Sequence, residues 1–418
     1  MSLNHRTDIH YAFYKCISWL IYMSMAIVIL DGIFGIDIFL NNSDRLSILY
    51  RAGFLFKYML VILAICFFSK IPKDLFLIFL LIVLISKLLV GLFNEGGQIK
   101  SYIGHLYFYS FIIFGYILGW QLSKASLAKI KISIKALQIA ILLTLVICLI
   151  YFSLYRLGFI VYFGMGLQTY IIVAVYLATY SSKFYHLLLF LTIILTGKRS
   201  SFLIYLGQLF APRLAAGRFS LIGAMTGFLT FVIFLYLIYV IGLMARFQGI
   251  LDLILEFEKD DFEKSRYLFH MASGGRTAEI YAYFFDVNQS FASILLGQSA
   301  GYNFPLTDLA GNVYQHYYFH ISPLNLIFHF GVPIGVLIII HQLRVFLWAI
   351  KFVSREKNVF CMLFIGFYLS SLFGAIVIVD VVFWVLYFYC HFLRRGTLKA
   401  RRLFRMSNLS ETRLHATQ

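Results

Sequence analysis

Long apolar runs separated by short polar connections repeat along the chain. Most reach about 18 residues, enough for a helix to cross roughly 30 Å of hydrocarbon. Window length predicts twelve spans, at 12–30, 52–69, 75–93, 102–121, 136–155, 158–180, 184–197, 199–211, 219–243, 321–342, 358–377 and 380–393. The seventh and eighth are short and meet at Thr196-Gly-Lys-Arg-Ser-Ser201. The last two are divided by Asp380, at a position where a tight turn would reach water. Residues 244–319 form the one long polar segment, and loops of that length are usually functional. The pattern predicts an all-α fold: a polytopic membrane bundle of about 12 helices, with short helices inside one large loop.

Composition supports a single integral membrane domain over residues 1–418, since 61% of the residues are hydrophobic and only 13% charged. The first run, Tyr11 to Leu30, is too long for a signal-peptide core and lacks an A-x-A-like cleavage site. It reads as a retained span. Cys16, Cys66, Cys148, Cys361 and Cys390 all lie in apolar runs without metal-ligand or disulfide spacing, which makes them packing residues. A net charge of +17 would suit nucleic acid in a soluble protein. Here it reports cytoplasmic loops beside anionic lipid, so no nucleic-acid partner is expected.

The placement of cations sets the orientation. With the N-terminus inside, the even-numbered connections hold Lys70 and Lys73, four lysines from Lys124 to Lys135, Lys183, Arg213 and Arg218, then Arg344 through Lys357. The tail adds Arg394, Arg395 and more. The 244–319 segment carries nine acidic and five basic residues, a net of −4. Both termini are therefore expected inside and the large loop outside. Lys198 and Arg199 then face outward, against the bias that places nearly every other basic cluster. Two cations at a helix junction can snorkel to an interface, but a pair held between short spans on the side of the large loop also suits an anion.

Three stretches of the loop have a bearing on chemistry. Leu251 to Arg266 alternates apolar and acidic positions at helical spacing, as in an interfacial amphipathic helix. Ser273-Gly-Gly-Arg-Thr-Ala-Glu-Ile-Tyr-Ala-Tyr-Phe-Phe-Asp286 places Gly275 and Arg276 before a helix-period pattern. Glycine permits close backbone approach, a helix start offers N–H donors, and a guanidinium adds a fork, so the stretch suits a phosphate or pyrophosphate. An ordinary Gly-rich turn is the competing reading. Finally, Tyr314-Gln-His-Tyr-Tyr-Phe-His-Ile-Ser-Pro-Leu324 runs into a span. His320 is expected where the tenth helix enters the membrane, with His316 one turn earlier, and a neutral imidazole there could take a proton from a sugar hydroxyl. Tyr314 and Tyr317 could stack on sugars or belong to an interfacial aromatic belt. His329 is expected inside the bundle as a packing residue.

Taken in order, these pieces resemble the O-antigen polymerase and O-antigen ligase superfamily, which handles glycans linked to undecaprenyl pyrophosphate. The similarity covers residues 184–340. It consists of the Thr196–Ser201 break, Gly275-Arg276, the turn Gly297 to Phe304, His320-Ile-Ser-Pro-Leu324 and Gly331-Val-Pro-Ile-Gly335. Many members carry Asn or Ser directly after the histidine, where this chain has Ile321. The resemblance implies a multi-pass protein of the bacterial inner membrane that takes part in lipopolysaccharide biosynthesis by glycosyl transfer at the periplasmic face. His320, Arg276 and Arg199 would be catalytic; Lys198, Gly275, His316, Tyr317 and Tyr314 would bind substrate; no metal or cofactor is required. The partners implied are the lipid-linked oligosaccharide, membrane lipids and a chain-length regulator protein. Polymerase and ligase share the chemistry and differ in acceptor, another repeat unit or lipid A–core. A lipid-linked oligosaccharide flippase is a further alternative, although it would not require the long loop or its terminal histidine.

Overall fold

The computed structural model describes residues 3–41, 47–68, 71–72, 74–92, 99–125, 130–158, 169–196, 199–217, 276–284, 290–307, 313–316, 318–319, 321–372 and 380–416, with isolated helical positions between 225 and 236. The chain is predominantly helical: α1 (Leu3–Asn41), α2 (Ser47–Leu63, continued by a π-turn at Ala64–Phe68), α3 (Leu75–Leu92), α4 (Ile99–Ser123), α5 (Ile134–Arg156), α6 (Thr169–Thr179), α7 (Lys183–Leu195), α8 (Arg199–Ala215), α9 (Arg276–Ala282), α10 (Phe291–Leu296), α11 (Ser322–Val353), α12 (Val359–Leu372) and α13 (Val381–Ala416). Five helical stretches among the described residues are long and apolar enough to cross a membrane: Tyr11–Ile33, Leu75–Leu92, Ser101–Ser123, Ile134–Arg156 and Ser322–Val353. Many of their exposed residues are apolar, as with Leu75, Phe79, Ile82 and Val90 on α3, which suits contact with lipid tails.

The helix content agrees with the all-α expectation, while the structure changes several finer ones. Among the described residues one short hairpin is added, in which β1 (Phe304–Thr307) pairs antiparallel with β2 (Val313–His316), Phe304 opposite His316. His316 therefore ends a strand and is not one helical turn before His320; α11 begins at Ser322, where Pro323 needs no N–H. The sixth span is helical only from Thr169 among its described residues. The amphipathic stretch 251–266 and most of 219–243 lie outside the described residues. Cys66 is exposed and Cys16 half-buried, so only Cys148, Cys361 and Cys390 pack inside.

Asp380 departs furthest from expectation. It is buried, not at water, and its carboxylate accepts from Lys57 Nζ at 2.7 Å and from the Val382 N–H at 2.8 Å. The depth of this pair follows from helix register. Gly115 of α4 faces Trp384 of α13, and Gly119 faces Phe388, so the two helices run parallel. Asp380 is then level with Phe111, twelve residues and about 18 Å from the Ile99 end of α4. Tyr58 stacks on Phe111 at 4.8 Å and puts Lys57 at the same level. Helix α13 thus starts near the middle of the bundle, with the Val382 N–H satisfied by a carboxylate that is itself neutralised by Lys57, and the Phe383 N–H by the Asp380 carbonyl.

Helix α11 is broken at Gly331, where φ is 77°. Pro333 removes a helical N–H two residues later, and Gly331 lies against the backbone of Leu295 and Gly297. Gly297 also has positive φ, 73°, and a Cβ there would fall 2.5 Å from the Gly331 nitrogen. The two glycines let the loop backbone touch the kink. Gly331→Ala is therefore expected to destabilise the protein by about 2 kcal/mol or more, from left-handed backbone strain plus overlap with Leu295. Thermal unfolding in detergent measures it; an unchanged midpoint would contradict the close approach.

Candidate functional site

The described part of the large loop is rooted on α11 by a small aromatic core of Ala282, Tyr283, Phe304, Phe319 and Phe328. Phe304 stacks on Phe319 at 4.2 Å between ring centroids and meets Phe328 edge-on at 5.6 Å. Such pairs add about 1 kcal/mol each to the burial of large rings. They fix α9, the hairpin and the start of α11 relative to one another.

Glu279, only 2% exposed, lies within this arrangement. One carboxylate oxygen accepts from Arg276 Nη1 at 2.9 Å, and the other accepts from the Ile321 N–H at 3.2 Å. The carboxylate so ties Arg276 to the residue that follows His320. On the other side, the buried Asn325 amide accepts from the Phe319 N–H at 2.7 Å and donates to the Phe319 carbonyl. Arg276 and Ile321, far apart in sequence, come together through one buried acid.

A second polar cluster holds the Gly-rich turn after α10. Lys87 of α3 donates to the Leu296 carbonyl and, at 3.4 Å, to that of Gln298. His105 of α4 accepts the Gly301 N–H through Nδ1 at 2.9 Å, which assigns the neutral ring its proton on Nε2. Ser101 donates to Asn303, and the Gln298 N–H reaches the Phe328 carbonyl at 2.7 Å. His329 is fully buried, 4.6 Å from His105 between ring centroids, with Nδ1 at 3.3 Å from the Tyr109 hydroxyl. Its Nε2 has no hydrogen-bond partner among the described residues. Tyr318 donates to the Gly104 carbonyl, so this member of the tyrosine cluster is a packing residue. The turn Gly297–Phe304 is therefore a wedge bound to α3, α4 and α11, not an open cradle.

The predicted site residues fall into three groups. Arg276 is described and joined to Glu279; His316 is half-buried, its ring 6.3 Å from that of Phe304. Arg199 begins α8 three positions after the buried Thr196 that caps α7, and Tyr314 lies in β2, but the side chains of Arg199 and Tyr314 lie outside the described residues. His320, Tyr317, Gly275 and Lys198 lie outside them altogether. His329 occupies the interior position expected of it. Sequence reasoning passed over Glu279, Asn325, Lys87, His105 and Lys57. Each carried a legible signal: Glu279 stands three residues after Arg276 on one helical face, and the others interrupt apolar spans.

Fold and site together define a helical protein with several helices able to cross a membrane and a structured loop packed on one of them. No protein-family model, curated protein or solved structure matches the chain.

Proposed function

We propose that the protein transfers a glycan from undecaprenyl pyrophosphate to a sugar hydroxyl at the periplasmic face of a bacterial inner membrane, polymerising repeat units of O-antigen or a related surface polysaccharide. The observation that carries this reading is the Glu279 bridge, which links Arg276 to the peptide next to His320. A leaving-group ligand and a proton acceptor are the two functions such a transfer needs side by side. In the proposed step, His320 takes the proton of the acceptor hydroxyl while its oxygen attacks the anomeric carbon. The bond from that carbon to the pyrophosphate oxygen breaks, and undecaprenyl pyrophosphate leaves with the electron pair. Arg276 and Arg199 meet its developing charge, and Lys198 adds longer-range attraction. Pairing with Glu279 makes the contribution of Arg276 directional more than electrostatic, since the acid offsets its charge while fixing the guanidinium plane. The lipid tail runs along the apolar spans.

The reading needs twelve spans, both termini inside, and the arginines outside. Cysteines introduced at Ser200 and Ser273 are expected to react with an impermeant thiol reagent in intact spheroplasts, and one at Gly217 is not. Labelling at Gly217 alone inverts the topology and ends the pyrophosphate argument. His320→Ala is expected to lower turnover about a hundredfold or more. Donor binding should change little, because cations and the lipid tail supply it. Loss of donor binding in proportion to activity would make His320 an anchor and not a base.

A further inference from the structure

Residues 319 and 321 are held by two buried polar side chains that belong to different elements and to none of the motifs behind the resemblance. Asn325, fully buried one turn into α11, presents its amide edge-on to Phe319. Its oxygen accepts the Phe319 N–H at 2.7 Å, and its nitrogen donates to the Phe319 carbonyl. That carbonyl belongs to the peptide group joining residues 319 and 320. Glu279, from a helix inside the loop, accepts the Ile321 N–H at 3.2 Å, and that N–H belongs to the peptide group joining residues 320 and 321. The Phe319 carbonyl and the Ile321 N–H, on the two sides of position 320, are thus each bound by a buried side chain, while Phe319 stacks on Phe304 and meets Phe328 edge-on.

The chemistry of the two residues fits the task. An asparagine amide carries one acceptor and one donor set on a planar group, which matches the N–H and C=O of a single residue. Helix starts usually spend such a side chain on capping their own N–H groups, but the cap position here is Ile321, which cannot. Asn325 serves the residue before His320 instead. Glu279 uses its two oxygens on two partners, so any shift at Ile321 is passed to the Arg276 guanidinium.

We infer that Asn325 and Glu279 are positioning residues for the reaction proposed at His320, holding Phe319 and Ile321 on its two sides and tying Arg276 to Ile321. They supply the support that Ile321 cannot. The inference rests on the proposed glycosyl transfer, and misplacing a reacting group by about 1 Å can cost roughly a hundredfold in rate.

The test uses the full-length protein in lipid nanodiscs and has two parts. The first does not depend on activity. Hydrogen–deuterium exchange is followed over residues 318–326 in wild type, Asn325→Ala and Glu279→Gln. Protection is expected to fall about tenfold or more at Phe319 in the first variant and at Ile321 in the second, with α11 beyond Gly335 unchanged. Unaltered protection at both amides overturns the clamp. The second part measures turnover with a lipid-linked oligosaccharide donor. Each variant is expected to lose about tenfold to a hundredfold in kcat with donor KM held within about threefold. Asn325→Ala should cause no further loss in a His320→Ala background, whereas Glu279→Gln, which also releases Arg276, should. A loss by Asn325→Ala that multiplies with His320→Ala overturns its positioning role, because the asparagine then acts apart from the histidine. Full turnover by His320→Ala alone overturns both the base and its positioning, whatever the exchange result. Should Asn325→Ala fail to accumulate, Asn325→Asp takes its place. It keeps the acceptor for the Phe319 N–H and loses the donor to the Phe319 carbonyl, so protection at Phe319 should hold while kcat falls, and an unchanged kcat overturns the positioning role.

Discussion

Arg276→Ala is expected to lower glycosyl transfer about a hundredfold or more while the protein still reaches the membrane. Two effects combine. The substitution removes a charge-assisted donor from the developing pyrophosphate, and it takes the Arg276 ion pair away from the buried Glu279. The second effect can disturb folding, so the informative comparison is Arg276→Ala with Arg276→Ala/Glu279→Gln, which removes the buried acid's charge as well. If the first effect dominates, the double variant regains stability but not activity. Arg276→Lys should also be poor, because an ammonium keeps the charge and loses the planar fork. Turnover measured in membranes from each variant decides it; near-normal transfer by Arg276→Ala removes the residue from the mechanism.

The largest expected loss of stability lies elsewhere, at the Lys57–Asp380 pair. Lys57→Ala is expected to cost about 3–5 kcal/mol, because the Asp380 carboxylate then remains charged in an apolar interior about halfway along the bundle. Asp380→Asn should also destabilise, because it takes the carboxylate away from the buried Lys57 ammonium. Replacing both together, as Lys57→Met/Asp380→Asn, should recover much of the loss. Asparagine can still accept the Val382 N–H, and methionine fills the lysine's apolar path. Thermal unfolding of the purified variants reads this out. Equal stability of Lys57→Ala and wild type would mean that the pair is solvated and that the depth assigned to it is wrong.

The helices were legible in the sequence because an apolar run of membrane-spanning length has few other uses, and the breaks at Thr196–Arg199 and Asp380 do separate helices. Depth was less legible. Asp380 looked like a turn residue at the surface because a lone carboxylate between two apolar runs is usually exposed. Its partner Lys57 sits 323 positions away in sequence, and only packing reveals the match. The same limit hid the Glu279 bridge. Arg276 could be picked as a cation beside glycines, but its acid and the Ile321 N–H meet only after the loop folds back onto α11. The hairpin was missed because strands of four residues are too short for alternation to stand out from the tyrosine-rich background. The Gly297 turn was noticed for its composition, yet its role as a wedge depends on Lys87 and His105 from two other helices.

The central claim is glycosyl transfer from a pyrophosphate-linked lipid, and purified protein in sealed liposomes tests it most directly. Undecaprenyl-pyrophosphate-linked single repeat units are supplied in the outer leaflet, and the lipid-linked products are separated by length. The account predicts a ladder of longer glycans with stoichiometric release of undecaprenyl pyrophosphate, both lost in His320→Ala and Arg276→Ala. Unextended donor that moves to the inner leaflet, with no pyrophosphate released, would contradict it and make the protein a carrier.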